Sequence, residues 1–439
     1  MRALVVGGGA REHCIAEALA KDGSEIFCAM KNRNPGLARL SRDVLYASET
    51  DVARIVEYAK SKSVKMAVVG PEAPLEKGLV DELSKAGISS VGPTKSCARL
   101  ETSKSFTRGL LDKHHIPGNP EYRVFRSPEG LGDFIRDLGE YVVKDEGLCG
   151  GKGVRLSGEH LVTAEDGVKY AEECIKRSGA VVVEEKFVGE EFSMQCLCDG
   201  RTVVGSPLAQ DHKRAFEGDT GPNTGGMGSY SDADHLLPFL THNEYDEALA
   251  ITQKVCDALR KECGEPYKGV MYGGFIATAN GVRLIEYNAR YADPEVMNVL
   301  PLLESSPVEL FQAVVDGKLR EGMGAYARKA TVCKYVVPRG YGTKSEVGAP
   351  ITVDEEALLA TGALLYYASV NEDDGCVLTT TSRSLAVVGI DDTIAGAEKV
   401  CEAGLAHVKG DVYVRHDIGT RDALNRKLDR MASLRRGKA

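Results

Sequence analysis

Between residues 3 and 91 the chain alternates short apolar runs with amphipathic stretches, and three of those runs stop at a glycine. The apolar runs at 3–6, 25–29, 64–69 and 89–91 read as strands. The spacing at 12–21, 51–62 and 80–86 reads as helices. Strands alternating with helices predict a parallel sheet covered on both faces. In such sheets ligands gather beyond the carboxyl ends of the strands. The turns at 7–9, 70–74 and 92–94 all fall at such ends.

From about residue 104 the rhythm changes. Residues 103–114 read as a helix closed by Ile116-Pro117-Gly118, with His114-His115 at its end, where the dipole favours them. A strand at 141–144 runs into a Gly-rich turn at 147–153, then a helix at 164–178 and a strand at 180–185. Hairpins are predicted at 194–206 around Asp199-Gly200 and at 269–288 around Asn280-Gly281. The polar, Gly-rich segment 210–232 reads as a long loop, followed by a helix at 244–262. A helix at 308–315 precedes a smaller β-rich unit from about residue 330, with a final helix from Asp422. A chain of 439 residues should hold three or four domains of about 100–150 residues each.

The net charge of −9 argues against general nucleic-acid binding, which needs a basic surface. It leaves room for a local basic pocket. The first nine residues are too rich in Gly for a signal peptide, and no apolar run reaches membrane-spanning length. A soluble, cytoplasmic protein is expected, with no nucleic-acid or membrane partner. The 12 cysteines are scattered without a Cys-x-x-Cys pair, so buried free thiols are expected over zinc or disulfides.

Several segments carry chemistry. Glu286, Asn288 and Arg290 follow the strand-like run 281–285, and residues two apart share a strand face. Two hard oxygen donors suit Mg²⁺, which leaves its other positions to phosphates and water. The guanidinium beyond them suits a carboxylate or a transferring phosphoryl group. Gly7-Gly8-Gly9-Ala10-Arg11-Glu12 joins a strand to a helix, a place that favours an anion. Glu12 stands where a dinucleotide fingerprint needs its third glycine, so a phosphate monoester fits better than NAD. Arg11 adds positive charge there. In the loop 144–154, small residues could lie against phosphates while Lys144 and Lys152 supply point charges; it is not a Walker A loop, lacking a Ser or Thr after the lysine. The strand 181–185 and the Gly189-Glu190-Glu191 turn could meet an adenine and a ribose. The segment 210–228 mixes acids, bases and glycines and could enclose a small substrate; its His212 reads as an exposed hydrogen-bonding loop residue.

The order of these segments resembles the glycinamide ribonucleotide synthetases of the ATP-grasp superfamily along almost the whole chain. The matching stretches are 7–13, 69–75, 92–94, 103–106, 144–154, 210–213, 219–228, 286–295 and 415–419. The resemblance implies an α/β and α+β multidomain fold. A parallel α/β (pre-ATP-grasp) domain at 1–103 would take the substrate phosphate. An ATP-grasp core at 104–325 would carry a small lid at 118–190, and a β-rich domain would occupy 326–439. It implies ligation of glycine to 5-phosphoribosylamine with ATP, through glycyl phosphate, in purine synthesis. Lys104, Lys144, Lys152 and Gly153 would lie near the ATP phosphates, Glu184, Glu185 and Phe187 near adenine, and Glu191 near ribose. Glu286 and Asn288 would hold Mg²⁺ or Mn²⁺. Gly9, Arg11, Glu12, Pro71 and Glu72 would take the phosphoribosylamine, with Asn223, Gly225, Gly226 and Met227 also on the substrate. Asp211, Lys213, Arg290 and Asp293 would surround the reacting groups. A monomer is expected.

Two departures from the family pattern bear on this. The lid loop carries Asp145, Glu146, Cys149 and Gly150 at changed positions, and two acids there weaken nucleotide binding unless they face solvent. Tyr291-Ala292 replaces Phe-Gly before Asp293-Pro294-Glu295. The competing expectations are an ATP-grasp ligase with another acceptor and a nucleotide-binding paralogue without turnover.

Overall fold

A computed structural model of the chain describes residues 1–148 and 153–437. Arg2–Val6 lies at the centre of a five-stranded sheet, in the order Ser41–Tyr46, Glu25–Met30, Arg2–Val6, Met66–Val69, Ser89–Val91, all parallel. The inner strands are buried on both faces, which is why they read as unbroken apolar runs. The edge strand Ser41–Tyr46 was not anticipated. It carries Arg42 and Asp43, is only half-buried, and so shows no apolar run.

The segment expected to form a lid contains a four-stranded antiparallel sheet, Tyr122–Phe125, Val181–Glu185, Tyr141–Asp145, Val154–Leu156. The helices Leu131–Leu138 and Ala164–Ser178 pack on it. The second helix opens on a reciprocal cap between Thr163 and Asp166 and closes at Gly179 in the left-handed region. Phe125, Phe134, Tyr141, Val143, Tyr170 and Val183 belong to an apolar core separate from the main one.

The central sheet is antiparallel, ordered Val203–Gly205, Gly189–Cys198, Gly269–Thr278, Gly281–Asn288, and the long helix His242–Cys263 packs against it. The 210–232 segment departs from expectation. It contains the strands Gln210–Asp211, Arg214–Phe216, Thr220–Asn223 and Gly228–Ser231. Gly228–Ser231 pairs with Ala330–Pro338 of the C-terminal domain, so one sheet crosses the boundary expected near residue 326. That sheet runs Gln210–Asp211, Gly228–Ser231, Ala330–Pro338, Leu385–Asp391, Leu364–Tyr367. The last helix, Arg421–Arg436, returns to the central domain, where Arg435 Nη2 lies 2.7 Å from Glu244 Oε1. Among the described residues no helix is long and apolar enough to cross a membrane.

Candidate active site

The hairpin Gly269–Thr278/Gly281–Asn288 carries a bulge. Gly274 faces Glu286 and Phe275 faces Leu284, which leaves Ile285 out of register. Its carbonyl accepts from Lys144 Nζ at 2.7 Å and from Arg108 Nη2 at 2.7 Å. Past the bulge the two-residue period holds. Asn288 Nδ2 donates to Glu286 Oε1 at 3.5 Å, and Arg290 Nη2 donates to Asn288 Oδ1 at 3.1 Å. The structure thus brings Glu286, Asn288 and Arg290 together.

Acids from the N-terminal third hold Arg290 in place. Its Nη2 lies 3.1 Å from Glu101 Oε1, and its Nε lies 3.6 Å from Glu72 Oε2. Glu101 Oε2 also accepts from the Ala289 amide at 2.7 Å. Burial pushes the Glu101 carboxyl up to about 7 against the pull of Arg290. Burial opposes the charge of Glu72 too, yet Arg290 and Arg11 hold it below its ordinary value. Burial opposes the charge of the half-buried Glu286 as well, yet Lys213, Lys144 and Lys104 hold it below its ordinary value.

Of those lysines, Lys144 is buried beside Glu184 Oε1 at 2.5 Å. Arg108 takes the same carboxylate through Nε at 2.8 Å and Nη2 at 2.9 Å. Both oxygens of Glu184 are therefore engaged, while burial pulls Lys144 down and Glu184 opposes it. Lys104 Nζ donates to Gly147 O at 2.6 Å. Gly153 O accepts from the Asp145 amide at 2.9 Å; Lys152, Cys149 and Gly150 lie outside the described residues. Glu185 Oε1 takes the Glu121 amide at 2.9 Å, and Phe187 follows that strand half-buried. Glu191 is exposed and meets Lys213 Nζ at 2.9 Å, the main reason the lysine is raised.

In the N-terminal turn, Glu12 Oε2 accepts the Gly9 amide at 2.7 Å and closes the first turn of the helix Ala10–Lys21. Its Oε1 takes Arg11 Nε at 2.6 Å, so Arg11 is not a free charge beside the turn. Arg11 Nη1 reaches Tyr291 O at 3.1 Å. A Cβ at Gly70 would collide with the Glu12 carboxylate, which explains that glycine. Pro71 precedes the short helix Glu72–Glu76 and turns Glu72 toward Arg290.

On the central domain, Asp211 is half-buried with its Oδ1 enclosed and unpartnered, and burial and Glu295 raise it well above the usual carboxylate range. Glu295 Oε1 accepts from Tyr272 Oη at 2.9 Å. Gly226 sits at φ +105°, where an added Cβ would fall 2.6 Å from Asp211 Oδ1. Met227 is buried and its amide donates to His212 O at 2.8 Å, while Asn223 pairs with Arg214 and Gly225 is exposed. His212 is buried, not exposed; its Nδ1 lies 3.3 Å from Asp219 Oδ1. Asp293 Oδ1 is held by Arg383 Nη2 at 3.2 Å and by the Tyr335 hydroxyl.

Three models of phosphoribosylglycinamide synthetase match the chain: the N domain over residues 1–101, the ATP-grasp (A) domain over 102–296 and the C domain over 331–421. The chain belongs to the phosphoribosylglycinamide synthetase family. It is 51% identical to the phosphoribosylamine–glycine ligase of Methanothermobacter thermautotrophicus over 440 aligned positions, 99% of this chain and 100% of that one. The crystal structure of phosphoribosylamine–glycine ligase from Thermotoga maritima matches with a TM-score of 0.80 at 29% identity, covering 95% of this chain and 100% of that one. A biotin carboxylase from Campylobacter jejuni shares the fold at a TM-score of 0.74 and 12% identity, covering 98% of each chain.

This synthetase chain also accommodates its departures from the family pattern. Asp145 is buried, not solvent-facing, and its Oδ2 takes Arg177 Nε at 2.9 Å and Nη2 at 2.6 Å. Glu146 takes the Ser103 hydroxyl at 2.5 Å and the Ser105 amide at 3.0 Å. Both acids thus have cationic or N–H partners. Tyr291 is buried against Phe311, and the Ala292 amide donates to Gln195 Oε1 at 2.8 Å. Sequence reasoning missed Glu101, Arg108, Tyr335 and Arg383. Glu101 stands beside the matching 103–106 segment, but no local pattern signals the other three.

Proposed function

We propose that this synthetase ligates glycine to 5-phosphoribosylamine, with ATP converted to ADP and phosphate, in de novo purine biosynthesis. The observation that carries this reading is the hydrogen-bonded run Glu286, Asn288 and Arg290, beside which Lys213, Lys144 and Lys104 favour the ionised Glu286. A carboxylate is a poor acyl electrophile, and phosphorylation by ATP makes it a good one. The glycine carboxylate attacks the γ-phosphoryl group, and the lysines and Arg290 neutralise charge on the transferring oxygens. The ribosylamine nitrogen then attacks the acyl carbon of glycyl phosphate and expels phosphate. No enzyme nucleophile is needed, so alignment and exclusion of water carry the catalysis. Asp211, Lys213, Arg290 and Asp293 line the space where the substrates meet.

Glu286 and Asn288 fit a small dication. They are adjacent hard oxygen donors, and Glu286 is held ionised by the lysines. Mg²⁺ or Mn²⁺ there would supply charge neutralisation to the ATP phosphates. The alternative of a paralogue without turnover drew on Asp145 and Glu146; Asp145 is paired with Arg177 and Glu146 accepts from Ser103, which weakens that support.

A coupled ADP-release assay with phosphoribosylamine and a panel of amino acids tests the reading. Glycine-dependent turnover is expected, and turnover with another amino acid alone would replace it. Asn288→Ala should lower kcat by about 100-fold with an unchanged melting temperature. Normal kinetics at limiting Mg²⁺ would overturn the metal assignment.

A further inference from the structure

Two side chains of the C-terminal domain reach the aspartate that follows the metal–phosphate strand. The Tyr335 hydroxyl donates to Asp293 Oδ1, and Arg383 Nη2 lies 3.2 Å from the same oxygen. Arg383 Nη1 donates to Gly225 O at 2.5 Å, Asp293 O at 2.9 Å and Gly226 O at 3.3 Å. The guanidinium carbon sits 4.4 Å from the Tyr335 ring centroid. Tyr335 is fully buried, and the Arg383 side chain is 14% exposed. One guanidinium therefore ties the 225–226 turn and the Asp293 turn to each other and to the C-terminal sheet. A planar fork with several donors can do this; an ammonium cannot.

The consequence lies at the other carboxylate oxygen. With Oδ1 engaged, Asp293 presents Oδ2, and that oxygen faces the N-terminal turn. A Cβ built on Gly9 would stand 3.7 Å from it. In the ligase reading Gly9 belongs to the turn beside the phosphorylated ribosylamine, so a fixed acceptor faces whatever that sugar carries. Burial, then the charge of Asp293, push the Tyr335 phenol well above its ordinary value, so it remains a donor at working pH.

We propose that Arg383 and Tyr335 are positioning residues that aim Asp293 Oδ2 at the amine of the phosphorylated ribosylamine. This rests on the ligase reading, in which Asp293 touches the reacting substrates. Fixing the carboxylate before substrate arrives lowers the ordering cost of binding and aligns the amine for attack.

Steady-state kinetics with each substrate varied in turn tests this on the full-length enzyme. Tyr335→Phe removes one hydroxyl and keeps the ring beneath Arg383. It should lower kcat/KM for phosphoribosylamine about 10- to 100-fold and leave the KM for ATP within about twofold. Arg383→Gln should do the same or more. Asp293→Asn should reproduce the loss, and adding Tyr335→Phe to it should cost nothing further, since the tyrosine acts through the carboxylate. Equal losses for all substrates, or a multiplicative loss in the double variant, would mean a structural role and overturn the proposal. Silent Tyr335→Phe and Arg383→Gln beside a damaged Asp293→Asn would overturn it and leave the ligase reading intact. An Asp293→Asn enzyme with unchanged phosphoribosylamine kinetics would sink the placement of Asp293 itself. If Arg383→Gln fails to fold, Tyr335→Phe decides alone.

Discussion

The lid and the C-terminal domain are joined to the central sheet in opposite ways. The 122–185 unit keeps its own apolar core and meets the rest through polar contacts that include Lys144 on Ile285 O, Glu184 on Arg108, and Glu146 on Ser103 and Ser105. The C-terminal domain shares both a sheet and a hydrophobic cluster with its neighbours. It also grips the N-terminal turn, since Asn34 Nδ2 donates to Gly8 O at 3.1 Å and Tyr367 O at 2.8 Å. Polar contacts can be exchanged for water at little net cost, whereas opening a shared apolar core exposes it. The 122–185 unit is thus the one that can move with less loss of apolar burial, and the C-terminal domain is the more firmly fixed.

The largest test of that contrast is Lys334→Met. Lys334 is fully buried, and its Nζ meets Glu398 at 2.8 Å and Glu402 at 2.6 Å. Removing it leaves Glu398 without that cation and Glu402 with His416 alone, at a cost of about 3 kcal/mol. Unfolding should stay a single transition with the N-terminal domain; two separate transitions would break the comparison.

A comparable effect should come from pH at the N–C junction. His13 Nδ1 accepts from the Tyr367 amide at 2.9 Å, and burial holds the imidazole down to about 4 from 6.5. The folded state keeps this histidine neutral. Its contribution is present above pH 6.5 and is lost as pH falls toward 4, by about 3 kcal/mol at most. His13→Gln should flatten that part of a plot of melting temperature against pH.

Leu131→Ala sharpens the lid side. Leu131 is fully buried in the lid core, so the change should cost at least about 2 kcal/mol. The loss should appear as faster hydrogen exchange within 122–185 and a higher KM for ATP, with the central sheet unaffected. Loss of protection in Arg2–Val6 would show that the lid is not a separate unit. The smallest effect is expected for Arg33→Ala at the rim of the N–C contact. Arg33 and Asp373 are 63% and 66% exposed, so their 3.4 Å pair is worth under about 0.5 kcal/mol in thermal melts.

Much of this architecture was readable from local pattern. Strands such as Met66–Val69 are buried on both faces and so appear as continuous apolar runs. The Glu286-Asn288-Arg290 trio was readable because the two-residue period resumes beyond the Ile285 bulge. Gly228–Ser231 was not, because its pairing partner is Ala330–Pro338, about a hundred residues away. The fates of Asp145 and Glu146 were equally hidden, since Arg177 and Ser103 approach from other elements.

By itself the sequence determined the parallel N-terminal sheet, the order of the family-matching segments and the face shared by Glu286, Asn288 and Arg290. All of these follow from chain-local periodicity and from side-chain chemistry. Only the tertiary structure decided that Glu184 is spent on Arg108 and Lys144, that Glu101 holds Arg290, and that Arg383 and Tyr335 orient Asp293. Each of these depends on where a distant side chain ends when separate cores pack, and neither spacing nor propensity encodes that.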